Sequence, residues 1–255
     1  MKVMTIDVGN TYVHIGVFEG ERLTMSRIVR TPDNPYGEAM VLGSVKAASR
    51  IDDAIVASVV PWLTPRLLNA LALITEKKPV LLTSASDIGI EIHYKKEQIG
   101  PDRLANALYV KKHVGERSIV VDIGTAITID AVEADGSFLG GVILPGPHTA
   151  LQCLSEKAAL LKEIELDREE TYLGNDTASC LRIGLLRGFA HAIEGLVKGM
   201  IEELNWESPR LLITGGDSSL LSTYLSGFNY VKDLGLLGLK AALDTIRSGE
   251  HQGGR

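Results

Sequence analysis

Asp7-Val8-Gly9-Asn10-Thr11 and Asp122-Ile123-Gly124-Thr125-Ala126 are two Asp-x-Gly turns that open like stretches of the chain. The first follows an apolar strand pattern at Lys2–Ile6 and leads into Tyr12–Glu19, where Val and Ile alternate with other residues. Glu19-Gly20-Glu21 supplies a hairpin turn, and a third strand is expected near Arg22–Arg30. The second follows the Ile/Val run of Ser118–Val121 and leads into an alternating Ile127–Glu133. It then turns at Asp135-Gly136 and returns along Ser137–Ile143. One Asp-x-Gly turn is common, its Asp tying the local backbone. Strand, turn, strand, hairpin and strand, repeated in the same order, is an internal duplication, and a duplication decides the fold. The expected architecture is α/β, with two like domains at 1–115 and 116–255 and a ligand cleft between them.

The remaining pattern fills in around these repeats. Thr31–Ser49 reads as a loop followed by a helix, Ile55–Ser58 as a buried strand, Pro61–Thr75 as a helix opened by proline, and Val80–Leu82 as a strand. After the second repeat come two amphipathic stretches, His148–Leu161 and Thr177–Leu204. A strand at Arg210–Ile213 then runs into Thr214-Gly215-Gly216.

Bulk properties narrow the function class. No apolar run approaches the roughly 20 residues of a membrane helix, and mean hydropathy is only +0.13. The N-terminus enters a strand pattern at once, without the apolar core of a signal peptide. Net charge is −6 and the Lys and Arg residues are scattered, so no basic face for nucleic acid is expected. Cys153 and Cys180, each in a helical stretch, read as buried, reduced thiols. His14, His113, His148 and His191 form no metal-ligating pattern. A cytoplasmic enzyme acting on small molecules is the expectation.

The turns carry the chemistry. Gly9 and Gly124 are expected to let the backbone turn tightly, so that main-chain N–H groups converge on an anion. Thr11, Thr125 and Thr128 add uncharged hydroxyl donors. A carboxylate repels phosphate, so Asp7 and Asp122 make sense beside a nucleotide only with a cation between, as hydrated Mg²⁺ provides. No Gly-Lys-Ser/Thr and no Gly-x-Gly-x-x-Gly motif occurs, which removes P-loop and Rossmann readings. In Thr214-Gly215-Gly216-Asp217 the paired glycines would let a base or ribose approach the backbone. The alternative is a plain strand–helix connection with Asp217 or Ser218 as N-cap.

With these elements in order, the chain resembles the type III pantothenate kinases of the acetate kinase/Hsp70/actin superfamily. The resemblance runs over nearly the full length. Besides the two turns it includes Gly16, Ser58-Val59-Val60-Pro61-Trp62-Leu63-Thr64, Gly100-Pro101-Asp102-Arg103 and Gly140-Gly141-Val142-Ile143-Leu144-Pro145-Gly146. Gly174-Asn175-Asp176-Thr177, Thr214-Gly215-Gly216 and Asp233-Leu234 with Leu237-Gly238-Leu239 complete it. It implies two duplicated ribonuclease H-like domains, as in actin-like ATPases. The implied activity is ATP-dependent phosphorylation of pantothenate, with Mg²⁺ and a monovalent cation (K⁺ or NH₄⁺), by a homodimer.

Carried over by motif, Asp102 would be the general base, and Tyr94, Gly100, Pro101, Arg103 and Thr177 would line the pantothenate site, Thr177 across the dimer interface. The stretch Asp7, Val8, Gly9, Asn10, Thr11, Tyr12, Val13 and His14 would bind ATP with Thr125, Gly215 and Gly216. Asp7 would face Mg²⁺, through water, and Asp122 would hold the monovalent cation. Pro101 suits the first turn of a helix that continues with Leu104, Ala107 and Leu108 on one face, placing Asp102 beside its positive end. Spacing alone favours reading Asp102 and Arg103 as a helix-capping acid and a surface arginine over the functional roles. The chain departs from the family pattern at Pro101, usually Ala, at Tyr94, one residue nearer Gly100 than expected, and at Leu160-Leu161-Lys162-Glu163, where Leu-Pro is common. Two alternatives stand beside the kinase: a nucleotide-binding regulatory relative without catalysis, and a kinase for another small hydroxylated acid.

Overall fold

A computed structural model describes residues 1–34, 36–44, 51–158, 161 and 164–252. Two five-stranded sheets carry the fold. The first contains β1 (Lys2–Val8), β2 (Tyr12–Glu19), β3 (Arg22–Arg30), β4 (Asp53–Ser58) and β5 (Val80–Leu81), in the order β3-β2-β1-β4-β5. The second contains β6 (Ser118–Ile123), β7 (Ala126–Val132), β8 (Phe138–Pro145), β9 (Arg210–Thr214) and β10 (Asn229–Tyr230), in the order β8-β7-β6-β9-β10. Element for element the order is the same, so the repeat in the sequence is a repeat in the fold. In each sheet the central strand, β1 or β6, pairs antiparallel with the strand after the Asp-x-Gly turn. It pairs parallel with β4 or β9, which return after helical crossovers. A central strand covered on both faces needs an almost unbroken apolar run. Val3, Met4, Ile6 and Val8 supply it in β1, and Ile119, Val120, Val121 and Ile123 in β6, all buried.

The helices are α1 (Gly37–Gly43), α2 (Thr64–Ala72), α3 (Pro101–Tyr109), α4 (Pro147–Lys157), α5 (Thr177–Arg182), α6 (Gly188–Glu203), α7 (Ser218–Leu221) and α8 (Leu234–Gln252). The expected helices at Pro61–Thr75 and His148–Leu161 are shorter than their patterns, and positions 35 and 45–49 of the Thr31–Ser49 reading, with 159, 160, 162 and 163, lie outside the described residues. The expected Thr177–Leu204 stretch is α5 and α6 joined by a wide, π-type turn at Ile183–Arg187. Asp7 and Asp122 are the last residues but one of β1 and β6, inside the strands rather than in the turns.

Contacts divide the chain into two units, and the division departs from 1–115 and 116–255 in two places. One unit holds Met1–Gly115, Ala134–Phe138 and the chain from Asp233 onward; the other holds Glu116–Glu133 and Leu139–Lys232. The C-terminal α8 packs on α3, β1 and β4 of the first unit. Gly238 makes this possible: a Cβ there would lie 1.8 Å from the Ala105 carbonyl oxygen of α3. Arg247 then forks onto the fully buried Asp53 of β4, with nitrogen–oxygen distances of 2.8 and 2.9 Å. The Ala134–Phe138 segment joins the first unit because Phe138 bonds along its backbone to Glu91 and His93, at 2.8 Å each. The cysteines are a second correction, since both are exposed. Among the residues of α4 only Pro147 and Leu151 are buried, and Cys153 lies about 200° around the helix from Leu151. Of α5 only Ser179 is buried.

Candidate active site

In the first unit the turn closes on the pairs Asp7↔His14 and Val8↔Val13, leaving Gly9–Tyr12 as the loop. Gly9 N–H donates to the Tyr12 carbonyl at 3.0 Å, and Thr31, just past β3, ties the loop down. Its hydroxyl donates to the Gly9 carbonyl at 2.7 Å and its N–H to the Thr11 carbonyl at 2.9 Å. Neither Gly9 nor Gly124 uses a positive φ. The requirement at Gly9 is space, since a Cβ would sit 3.0 Å from the Tyr12 oxygen. Val8 and Val13 bury their side chains in the core, so they offer only backbone to a ligand, whereas Asn10 and Tyr12 are exposed. His14 Nε2 lies 2.9 Å from Asp233 Oδ1 and 3.0 Å from Ser26 Oγ, and Ser26 donates to the same carboxylate at 2.7 Å. Asp233 is held at φ +59°, a left-handed backbone for a non-glycine residue, immediately before α8. Such conformations persist only where the surroundings fix them.

The start of α8 and the middle of α3 meet beside Asp7. A Cβ on Gly235 would lie 3.8 Å from Asn106 Oδ1 and 4.0 Å from Asp7 Oδ2. Asn106 stands one helical turn after Asp102 and is buried. Sequence reasoning missed it, and the available signal was its i, i+4 relation to the Asp of the Gly-Pro-Asp-Arg motif.

In the second unit the turn is one residue shorter. It closes on Asp122↔Thr128 and Ile123↔Ile127, leaving Gly124–Ala126. Gly124 N–H donates to the Ala126 carbonyl at 3.0 Å, and the start of α4 ties this loop: Gly146 N–H and the Thr149 hydroxyl both reach the Thr125 carbonyl, at 3.0 and 2.7 Å. The approach is so close that a Cβ on Gly146 would lie 1.8 Å from the Gly124 oxygen. Gly215, at φ +99°, presses on the other side, where a Cβ would meet the Ile123 oxygen at 2.2 Å and Asp122 Oδ1 at 2.5 Å. Gly216 opens onto free space, and Thr125 is exposed. Asp217 holds the N-cap position of α7 without a capping bond; its carboxylate sits 3.1 Å from His148 Nδ1 instead. Thr128 Oγ1 is buried and has no hydrogen-bond partner among the described residues, directly across from Asp122. A carboxylate opposite a hydroxyl is a pair of oxygen donors of the kind that suits a hard cation.

The Gly100–Arg103 segment begins α3. Gly100 is the N-cap and Pro101 occupies the first turn, where a missing N–H removes no helical bond. The Asp102 carboxylate folds back over Gly100, where a Cβ would lie 2.2 Å from Asp102 Oδ1. Arg103 is only 4% exposed, so the surface-arginine reading falls. Its guanidinium carbon lies 5.4 Å from the Tyr94 ring centre and 5.0 Å from that of Phe138, and the two rings meet edge to face at 5.9 Å. The shortened spacing from Tyr94 to Gly100 therefore leaves Tyr94 against Arg103. Pro101 also lines a cavity of about 410 Å³ with Ser58, Thr64, Leu82, Thr83 and Ile99. It lies beyond the carboxyl ends of the parallel strands β4 and β5, a usual ligand position in such sheets. In the second unit, Thr177 is the first residue of α5 and exposed. A reciprocal capping box fixes it: Ser179 N–H donates to Asp176 Oδ1 at 2.8 Å, and Asp176 N–H to Ser179 Oγ at 3.2 Å. That backbone bond holds the Asp176 carboxyl below its usual range.

A family model described as type III pantothenate kinase matches residues 3–199. The chain belongs to the type III pantothenate kinase family. A type III pantothenate kinase of Thermomicrobium roseum is 32% identical, the alignment covering 96% of this chain and 97% of the relative. Among solved structures, a Campylobacter jejuni protein described as a Baf family transcriptional activator superposes with a TM-score of 0.62. It is 22% identical, with 97% of this chain and 99% of that one covered. MreB 5 of Spiroplasma citri, bound to AMPPNP, gives 0.52 at 10% identity over 99% and 98% of the two chains. These structural likenesses show the fold, two duplicated domains of the actin-like ATPase type.

Proposed function

We propose that this type III pantothenate kinase family member transfers the γ-phosphoryl group of ATP to the primary hydroxyl of pantothenate, giving 4′-phosphopantothenate and ADP, the first step towards coenzyme A. The observation that carries the residue assignment is the start of α3. There Asp102 and the buried Arg103 follow directly on Pro101, which lines a cavity of about 410 Å³. Asp102 takes the hydroxyl proton as the oxygen attacks the γ-phosphorus and the bond to the β-phosphate oxygen breaks. Arg103, planar and held against Tyr94, offers its fork to the pantothenate carboxylate. Gly100, Pro101 and Thr177 shape the rest of the acceptor site.

On the nucleotide side, the Gly9–Tyr12 loop offers backbone N–H groups and the Thr11 hydroxyl, and His14 closes its far end. Thr125, Gly215 and Gly216 line the second turn. Among the described residues no group of three or more His, Cys, Asp or Glu could hold a metal ion. Asp7 would hold Mg²⁺ through water, and Asp122 with Thr128 the monovalent cation. Bound there, the cations would offset the negative charge of the phosphates. The enzyme works in the cytoplasm as a homodimer in which Thr177 reaches the partner's acceptor site.

The test is conversion of pantothenate and ATP by the purified protein, with and without K⁺. Asp102→Asn is expected to lower kcat by roughly 10²–10⁴-fold while ATP still binds. Normal turnover by that variant removes Asp102 from the base role. ATP binding without phosphopantothenate supports the regulatory alternative, and ADP release with another acceptor supports a different kinase.

A further inference from the structure

We propose that Asp217, held in place by His148, reads the ribose of the nucleotide by accepting a hydrogen bond from one of its hydroxyls. This rests on the kinase reading above and adds to it two residues beyond the Thr-Gly-Gly motif.

The groups involved all belong to the second unit. β6 and β9 run parallel with Asp122 beside Thr214, so the Gly124–Ala126 turn and the loop after Thr214 leave the sheet at the same, carboxyl, end. That end is the usual ligand position in such sheets. Asp217 is fixed there through its backbone, its N–H donating to the Ile123 carbonyl at 2.9 Å. His148 is fixed from the other side. It lies between Gly146 and Thr149, both of which bond to the Thr125 carbonyl. Its Nδ1 meets Asp217 Oδ2 at 3.1 Å, joining the start of α4 to the start of α7 next to Gly216, where a Cβ would meet only open space.

Aspartate is among the strongest helix N-caps. At the N-cap of α7 Asp217 nevertheless makes no capping bond, its carboxylate being turned to His148 instead. A carboxylate only accepts hydrogen bonds, so Nδ1 carries the proton of this contact. Oδ1 is left with no hydrogen-bond partner among the described residues, and at 22% exposure the side chain is within reach of a ligand.

Donor and acceptor chemistry picks the partner. A carboxylate repels phosphate and needs a donor, and ATP offers donors at its ribose hydroxyls and its exocyclic amine. The two glycines before Asp217 admit a sugar close to the backbone, within reach of a short acidic side chain. Dinucleotide-binding folds read a ribose hydroxyl with an acid in the same way. His148 touches no ligand atom on this view; it is a positioning residue that sets where Oδ1 points.

The experiment measures binding of ADP, 2′-deoxy-ADP, 3′-deoxy-ADP and inosine diphosphate to the purified full chain by calorimetry. Removing the hydroxyl that meets Asp217 is expected to weaken binding roughly tenfold. In Asp217→Ala the oxy and deoxy nucleotides should bind within about twofold of each other. His148→Ala should shrink the preference without abolishing it, which loss of a merely structural contact would not do. Equal binding of all three adenine nucleotides by the unsubstituted chain overturns the proposal, as does the same hydroxyl preference with and without Asp217. A loss confined to inosine diphosphate, which lacks the amine, places Asp217 at the base and overturns the ribose assignment. If Asp217→Ala does not fold, His148→Ala decides, and an undiminished preference there sinks the idea. Failure of the kinase reading shows separately, as ADP binding without formation of phosphopantothenate, and the hydroxyl preference still decides on Asp217. A chain that binds no ADP overturns both.

Discussion

The two Asp-x-Gly hairpins share their place in the sheet, their Asp and their Gly, yet differ by one residue in the loop. Gly9–Tyr12 is closed by its own Tyr12 carbonyl and tied by Thr31; Gly124–Ala126 is pressed by Gly146, while Gly215 presses on Asp122 and Ile123 just before it. Across the sheet from the Asp stands His14 in the first and Thr128 in the second. His14 is engaged by Ser26 and Asp233, whereas the Thr128 hydroxyl is buried without a partner among the described residues. Duplication thus conserved a frame and left the loop free to diverge. The first loop has one more residue of backbone, while the second is tied by Gly146 and Thr149 to the start of α4.

The largest break in this comparison should come from the clamp. Gly146→Ala places a carbon in the Gly124 carbonyl, and a loss of roughly 3 kcal/mol or more is expected, read as poor soluble yield or a collapsed melting temperature. Gly124→Ala meets nothing closer than 4.0 Å. It should fold normally and show its effect in ATP binding. If both variants melt alike, the clamp is not what distinguishes the second turn.

An effect of comparable size tests the first unit, whose frame leans on α8. Arg247→Met leaves Asp53 buried and stripped of its fork, and about 3–5 kcal/mol of stability should be lost in urea titrations. A loss below about 1 kcal/mol would mean the pair contributes as a surface bridge does.

Thr128→Val sharpens the contrast between His14 and Thr128. Replacing an unpartnered buried hydroxyl by a methyl should raise stability without ligand by about 1 kcal/mol. Stimulation by K⁺ should fall at the same time. A variant that is less stable and fully K⁺-responsive would assign the hydroxyl to the fold instead.

The smallest expected effect is at α5. The Asp176 carboxyl is depressed in the folded chain, chiefly by the Ser179 N–H. Its contribution is therefore complete above the ordinary aspartate value, and is lost as pH falls through the lower folded value. Amide exchange at Ala178–Cys180 should quicken only below about pH 4, and Asp176→Asn should flatten that dependence. Acceleration near neutrality would point to another group.

What could be read in the sequence was whatever local pattern decides. The alternating strands, the hairpins and the Pro-opened α3 follow from neighbours in the chain, and the repeated order gave the duplication. What could not be read depends on distant partners. The helix α8 carries Gly235, Gly238 and Gly249, poor helix formers, and its reason for being there is a close crossing with Ala105. Phe138 looked like any strand residue until its backbone bonds to Glu91 and His93 were seen. The cysteines were misplaced because buried and exposed faces of short helices such as α5 leave little periodicity to count. The difference between the turns was in the letters all along, as the spacing from Asp7 to His14 against that from Asp122 to Thr128. Only strand register gives it meaning.

The return of α8 to the first unit has a consequence for the birth of the molecule. The earliest-synthesised sheet must wait for the chain through Asp233 and beyond before α3 gains its partner and Asp53 its counter-ion. Contacts so far apart in the chain fold late and slowly. The second unit, closed by residues made earlier, is free to form first on the ribosome, as a guest inserted in a host that is still incomplete.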